Sequence, residues 1–456
     1  MQFPQGWKFV AISIACAFVV SGCRSCEDTG ANSDTVDVPT SRSDVPNDDD
    51  GTSDWDGMTF DGVRWFVAGT PERDVAHDVA IDSKGRIYVV GETEGDLKGN
   101  SNGGGTDAFV ARLSDGGFGF EWVQLIGGEN SQKANSVAVG PNDLVYVGGR
   151  AGRKASSSSV GNSFVAVYDE SGTQKSISSP VGTSPNLVDI AVDQQGNLYL
   201  GAVLTIPPQG SNITTPAGLV VKFDSSNSEI WRSTIEGPKG VIAHNIAVTA
   251  NGAYVVGSTD GKLNGESEIG NGDVFTVRLN DSGKEQWTRL IGSPKSELLR
   301  EATIAADSKG NAAVFGMTLG SIKGETNKGR GAIFAVAYDS DGNEKWFDFI
   351  SSGEGEYPLD AAADGNGRWL TTGVSGGKLG GLTEDNLHAG FWARYEADGT
   401  RETLQAFTPD DDSDDLTLRG IDAAPDGTVA FVGSTEGPII GQEVSGDTDI
   451  VVGSMN

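Results

Sequence analysis

Seven small or polar residues recur along the chain at intervals of 53 to 60 positions: Asp78, Ser136, Asp189, Asn245, Thr303, Asp360 and Gly420. If the recurrence reflects a circular fold, these positions converge on one axis. Carboxylates gathered there could act as general acid and base, or hold a hard cation such as calcium through oxygen ligands. Asp78, Asp189, Asn245 and Asp360 are the candidate axial set. The alternative is that they hydrogen-bond neighbouring backbone. A second acidic group, Asp410, Asp411, Asp412, Asp414 and Asp415, lies in one connection, as a calcium candidate or a solvated loop. Arg150, Arg153 and Lys154 form a basic spot on an acidic chain, a candidate contact for a partner. The three histidines, His77, His244 and His388, have no metal-ligand spacing. No G-x-S-x-G or H-E-x-x-H is present, so no catalytic residue is assigned. No cofactor is expected, with calcium the one ion these carboxylates suit.

The elements that position these residues are strands. The segment I-D-S-K-G-R-I-Y-V-V-G (81–91) returns as 190–200, as 246–257 and in four weaker forms. Aligned at the end of the second strand, the repeats read Gly91, Gly149, Ala202, Gly257, Gly316, Gly373 and Gly433. Each repeat holds four strand-like runs joined by short Gly and Asp turns. The third strand carries Phe109, Phe164, Leu219, Phe275, Phe334, Phe391 and Val451. The fourth carries Trp65, Trp122, Trp231, Trp287 and Trp346, with Ser176 and Thr403 in the other two repeats. Such columns read as packing between sheets before they read as a stacking platform for ligands. The period predicts an all-β, seven-bladed β-propeller of four-stranded antiparallel blades over 61–456.

The repeats are out of phase with the chain ends. V-R-W-F-V (63–67) matches a fourth strand but precedes the first full repeat, and the last repeat stops after its third strand. The N-terminal strand is therefore expected to complete the last blade, which removes an exposed edge. In each blade the 1–2 and 3–4 turns share one face. The longer 2–3 and 4–1 connections share the other, and a binding site is expected there.

Ahead of the repeats, Lys8 precedes the apolar run 9–20, which reads as an export signal over 1–22. The tetrapeptide V-S-G-C (20–23) resembles the lipobox of bacterial lipoproteins. That resemblance implies cleavage before Cys23 and acylation of it, hence a membrane anchor without a spanning helix. Residues 24–60 are rich in Asp and poor in apolar residues, as a disordered acidic tether would be. Net charge is −31, which excludes nucleic acid as a partner because phosphate binding needs clustered Lys and Arg.

A-V-D-Q-Q-G-N-L-Y-L (191–200) and D-A-F-V-A-R-L (107–113), followed by a Trp strand and I-G-G (126–128), resemble the bacterial seven-bladed β-propeller repeat, SBBP. The resemblance implies an exported or surface-attached protein, since members are commonly so placed and most lack an assigned reaction. The expectation is a monomeric, lipid-anchored protein of the bacterial envelope, at the outer membrane or cell surface, binding protein or glycan through its long loops. One alternative is a hydrolase or lyase using the axial carboxylates, with or without calcium. The other is a purely structural envelope protein.

Overall fold

The computed structural model describes residues 59–60, 62–115, 119–152, 163–181, 185–204, 215–295, 301–382, 388–411 and 414–455. The chain divides into two units, 1–54 and 55–456. The signal, Cys23 and nearly all of the tether lie outside the described residues, as do Arg153, Lys154 and Asp412.

Residues 55–456 form a seven-bladed β-propeller of four-stranded antiparallel blades. Blade 1 runs Asp74–Ile81, Ile87–Thr93, Asp107–Leu113 and Phe120–Ile126. The inner strands of blades 2 to 7 are Gln132–Val139, Pro185–Val192, Val241–Thr249, Ala302–Ala306, Glu356–Ala363 and Leu416–Ala423. Each inner strand touches the next, and the seventh touches the first, so the ring is closed.

Closure runs through the phase of the repeat. Strand Val63–Ala68 pairs antiparallel with the last strand, Asp449–Met455, from Arg64 opposite Ser454 to Ala68 opposite Ile450. Its outward edge does not stay bare. The Gln442 amide accepts from Val67 N–H (3.1 Å) and donates to Trp65 O (2.8 Å). Thr59–Phe60 folds back along it as a two-residue strand.

The conspicuous glycines and aromatics are packing partners. Gly91 lies directly opposite Phe109, Gly149 opposite Phe164, Gly257 opposite Phe275, Gly316 opposite Phe334 and Gly373 opposite Phe391. A Cβ on Gly91 would come within 1.9 Å of Val75 O and 2.8 Å of the Phe109 ring. The tryptophans join blades. Trp122, Trp231, Trp287 and Trp346 each lie over a positive-φ glycine in the 3–4 turn of the next blade: Gly172, Gly283, Gly342 and Gly399. Side chains are excluded there both by the backbone angle and by the indole, which a Cβ would meet at 2.4 to 2.8 Å. Three of these indoles also donate to a turn carbonyl: Trp122 to Glu170, Trp231 to Asp281 and Trp287 to Ser340.

Trp65 departs from the column read in the sequence. It pairs with Gly453, one residue short of the register of the other four, so its side chain turns to the opposite face. There it is buried against Phe407 (4.8 Å between ring centres) and Phe431 (5.3 Å), sealing blade 7 against blade 6. Arg64 occupies the position that four other blades give to tryptophan.

The long loops are tied down from within. In five of them a Thr or Ser at the second-strand end, Thr93, Thr259, Thr318, Ser375 or Thr435, bonds the glycine two residues on. Leu97, Leu263, Ile322, Leu379 and Ile439 are buried beneath them. Glycine spacing here builds rigid loops.

Removing residues 59–68 is expected to lower the melting temperature and promote self-association, because it bares the edge of strand Asp449–Met455. Trp65→Ala alone should cost about 3–5 kcal/mol by loss of a buried indole. Denaturant unfolding and light scattering check both; an unchanged midpoint in the truncated chain would mean the strand does not hold the ring.

Candidate functional site

The axial residues form a circular set of bonds between neighbouring inner strands. Asp78 Oδ2 accepts Val137 N–H of blade 2 at 2.7 Å. Ser136 Oγ donates to Asp189 of blade 3 at 2.7 Å and accepts Ile190 N–H at 3.2 Å. Asp189 Oδ2 accepts Ile246 N–H of blade 4 at 2.8 Å, and Asn245 Oδ1 accepts Ile304 N–H of blade 5 at 3.3 Å. Thr303 Oγ1 reaches Asp360 of blade 6 at 3.5 Å, and Asp360 Oδ2 accepts Ile421 N–H of blade 7 at 2.8 Å. Gly420 has no side chain to continue the series. Asp422, two residues along and alone in a column of alanines, accepts Ile81 N–H of blade 1 at 2.8 Å. Every one of the seven blade junctions is spanned.

The second oxygens are engaged as well. Asp78, Asp189 and Asp422 each accept the N–H of the following residue at 2.8 Å. These N–H groups favour the ionised form, but withdrawal from water acts the other way and dominates. Burial pushes Asp189 and Asp422 up to about 6. Asp360 goes up to about 8, through burial first and then repulsion from Asp189 and Asp422. Burial, then the Asp360 charge, holds Asp78 well above the ordinary carboxylate range.

One residue before this ring, the inner strands bulge. The register slips between Ala76 and Asp78, Ala134 and Ser136, Leu187 and Asp189, Ala243 and Asn245, Pro358 and Asp360, and Leu418 and Gly420. The extra residues are His77, Asn135, Val188, His244, Leu359 and Arg419. Blade 5 has no such slip. In five of the six bulged blades a second-strand glycine makes room for the bulge; blade 3 has Ala202 there. A Cβ on Gly91, Gly149, Gly257, Gly373 or Gly433 would strike the carbonyl two residues before the bulged one. A bulge re-aims a side chain out of the ladder, and four of these face a common cavity of about 180 Å³: His77, Asn135, Leu359 and Arg419.

An ion-pair group stands behind His77. Glu92, on the second strand of blade 1, is buried and bonded to Arg73 Nη1 (2.7 Å) and Lys133 Nζ (2.6 Å). Burial pushes its pKa up, but the nearby His77, Arg73 and Lys133 outweigh burial and hold it far below the ordinary carboxylate range. His77 Nε2 is 3.7 Å from Glu92, beyond hydrogen-bond distance. Burial lowers the His77 pKa, so the imidazole is neutral near pH 7. Burial raises Glu301, with Arg419 acting against it.

Thus Asp78, Asp189, Asn245 and Asp360 do surround the axis, as bonded links between blades. The side chains presented at the mouth belong to the preceding column, where His77 and His244 were visible in the sequence but the bulge that exposes them was not. The acidic connection is also engaged. Asp410 accepts Ile440 and Gly441 N–H at 2.9 and 2.7 Å, and Asp415 bonds His388 Nδ1 at 2.6 Å. Among the described residues no three His, Cys, Asp or Glu side chains form a metal-holding group. Arg150 is exposed on the loop-rich side of blade 2, directly opposite Lys133.

Residues 68–98 match the family described as SBBP, beta-propeller repeat. No curated protein matches the chain. Similar solved structures include a protein of unknown function from Bacteroides caccae, at 10% identity and a TM-score of 0.37, covering 66% of this chain and 90% of that one. A quinohemoprotein alcohol dehydrogenase from Comamonas testosteroni gives 10% and 0.40, covering 86% and 76%. A Xanthomonas campestris gluconolactonase gives 11% and 0.35, covering 88% and 93%. Nothing about the activity of this chain follows from them. The match at 68–98 spans the inner hairpin of blade 1: the chain is a seven-bladed β-propeller whose first blade is similar to the SBBP repeat.

Proposed function

We propose that this chain is a binding module of the bacterial envelope, held at a membrane surface by acyl groups on Cys23. The 24–60 tether spaces the propeller from the membrane. The loop-rich face, with the axial mouth at its centre, receives a protein or glycan partner. One observation carries the reading. Both oxygens of Asp78, Asp189 and Asp422 are taken by backbone N–H groups, one on the same strand and one on the next blade. A hydrolase would need at least one such oxygen facing substrate. The mouth above differs from blade to blade on an invariant scaffold, as a recognition surface does.

The axial carboxylates make a pH signature. Their folded pKa values lie above the unfolded value of about 4, so the folded chain binds more protons and loses stability as pH rises from about 4 through 6 to 8. His77, lowered by burial, opposes this, while Glu301, Glu356, Glu436 and Asp449, each raised first by burial, add to it. Asp360→Asn keeps an oxygen for Ile421 N–H and cannot ionise. Melting temperature is expected to fall from pH 5 to pH 8 in the parent chain and to fall less in this variant. Asp360→Ala should cost about 1–3 kcal/mol at either pH by orphaning a buried donor. If Asp360→Asn instead abolished a hydrolytic activity without altering the pH profile, the carboxylate would be catalytic.

Two further outcomes test the address and the face. Cys23→Ala is expected to move the chain from the membrane pellet to the soluble fraction; retention in the pellet would exclude the acyl anchor. Reversing Arg150, Arg153 and Lys154 to Glu is expected to reduce capture of envelope components by the immobilised propeller. Unchanged capture would clear that sector of a role.

A further inference from the structure

The junction that closes the ring brings two carboxylates together. The first residue of an inner strand donates its N–H to the carbonyl just before the third strand of the preceding blade. Asp74 donates to Thr448 O (2.8 Å), Gln132 to Thr106 O (2.7 Å), Val241 to Pro216 O (2.8 Å) and Leu416 to His388 O (2.9 Å). These bonds set the opening residues of the two strands side by side: Asp74 with Asp449, Gln132 with Asp107, Val241 with Ala217 and Leu416 with Ala389. Of these four junctions, the closing one alone sets acid beside acid. Asp74 and Asp449 are both fully buried. One oxygen of each is engaged: Asp74 Oδ2 accepts Thr70 N–H (2.6 Å) and Thr70 Oγ1–H (2.8 Å), and Asp449 Oδ2 accepts Ser445 N–H. The other oxygens, Asp74 Oδ1 and Asp449 Oδ1, are buried and make no hydrogen bond. At the matching place in blade 1, Gly128 N–H donates to Asp107 Oδ1 at 3.3 Å; at the closing junction the equivalent donor, Thr70 N–H, is taken by Asp74. Arg73, the residue before Asp74, is bonded to Glu92 at 2.7 Å. Buried charges without a partner are costly. Burial, with the Asp74 charge adding to it, raises the Asp449 pKa.

We propose that Asp74 and Asp449 hold a calcium ion, which clasps the last strand of the ring to the first. Calcium takes oxygen ligands in flexible geometry, and two carboxylates balance its charge. Backbone carbonyls and water complete such shells. Two carbonyls lie close by: a Cβ on Gly446, three residues before Asp449, would meet Thr70 O at 2.6 Å and Glu72 O at 2.4 Å. The pair is also walled in. A Cβ on Gly69 would reach Asp449 Oδ1 at 2.1 Å, so the link from the closing strand into blade 1 wraps both acids. Magnesium suits the place less, because it demands near-ideal octahedral geometry and gives up its water reluctantly. Zinc would want the nitrogen and sulfur ligands that this set lacks. The clasp does not depend on what the loop face binds.

The test is the melting temperature of the full chain at neutral pH, stripped with EGTA and then given about 1 mM calcium chloride, within the working range of extracellular calcium modules. Calcium is expected to raise it, and magnesium at the same concentration to raise it less. Asp74→Gln gives the closing junction the amide that Gln132 supplies between blades 1 and 2. Its calcium affinity, by calorimetric titration, should fall about tenfold or more, as loss of one of two charged ligands implies. Asp414→Asn, in the acidic connection ahead of blade 7, should leave that affinity unaltered. If Asp74→Gln does not fold, Asp449→Asn serves instead, because its amide oxygen can still accept Ser445 N–H. The proposal is overturned if calcium leaves the melting temperature unchanged, if magnesium acts equally, if the junction variant binds calcium as tightly as the parent, or if Asp414→Asn removes the response. A pair that shares a proton instead would make stability depend on pH and not on calcium, and that result also overturns the clasp.

Discussion

The structure depends on a hydrogen bond that crosses from blade to blade at the axis. A propeller blade is a complete small sheet, and nothing in its own ladder ties it to its neighbour. Packing of Phe, Trp and Val between blades supplies most of the attraction, but apolar contact is non-directional. The axial side chains supply direction. An aspartate suits the task because its two oxygens accept two N–H groups at once, one on its own strand and one on the next. Asp78, Asp189 and Asp422 do this with distances of 2.7 to 2.8 Å. The arrangement gathers like charges where water is scarce. Raised carboxyl pKa values are the consequence, and partial protonation relieves the repulsion that full ionisation would impose.

The same local geometry separates structure from recognition. In five blades a second-strand glycine lies against the carbonyl beside the inner-strand bulge, and in blade 3 Ala202 takes that place. The bulge leaves one residue outside the ladder, facing the mouth, and puts the next in the ring of bonds. That ring position is constrained by a neighbour's backbone at nearly every junction, whereas among the mouth residues Asn135 bonds the next blade, through Leu187 O at 3.3 Å. The mouth position is occupied by two histidines, an asparagine, a valine, a leucine and an arginine. Specificity can change at the mouth without disturbing closure.

Much of this was legible in the sequence. The period gave seven blades, the phase gave closure by 63–67, and the Gly and Phe columns marked a packing layer. The axial column was legible as a set of positions. Its role was not, because an aspartate aimed at a neighbour's N–H and one aimed at a substrate look the same in one dimension. Trp65 was misplaced by one residue because blade 7 lacks the bulge that sets the register of the Trp strand elsewhere, and a slip of one flips the side chain. Asp422 read only as a break in a column of alanines. Its partner Ile81 lies 341 positions away, and only the closed ring brings them together. The mouth residues were hidden for a related reason: a bulge is a fact of pairing between two strands, not a pattern in either.

Blade 5 shows what the ring tolerates. It lacks the bulge, and its inner strand is the shortest of the seven, Ala302–Ala306. The bonds on either side of it, Asn245 to Ile304 at 3.3 Å and Thr303 to Asp360 at 3.5 Å, are the longest links in the circle. The length follows the strand and not the chemistry, because Ser136 makes the same hydroxyl-to-carboxyl link to Asp189 at 2.7 Å where its strand is bulged. The four residues that bound the axial pocket come from blades 6, 7, 1 and 2, the side of the ring away from this junction. All three junctions among those blades carry an aspartate link of 2.7 or 2.8 Å, and at one of them Asp422 makes good the missing side chain of Gly420. The mouth residues on that side therefore stand on tightly linked strands, as do those at the junctions of blades 2, 3 and 4.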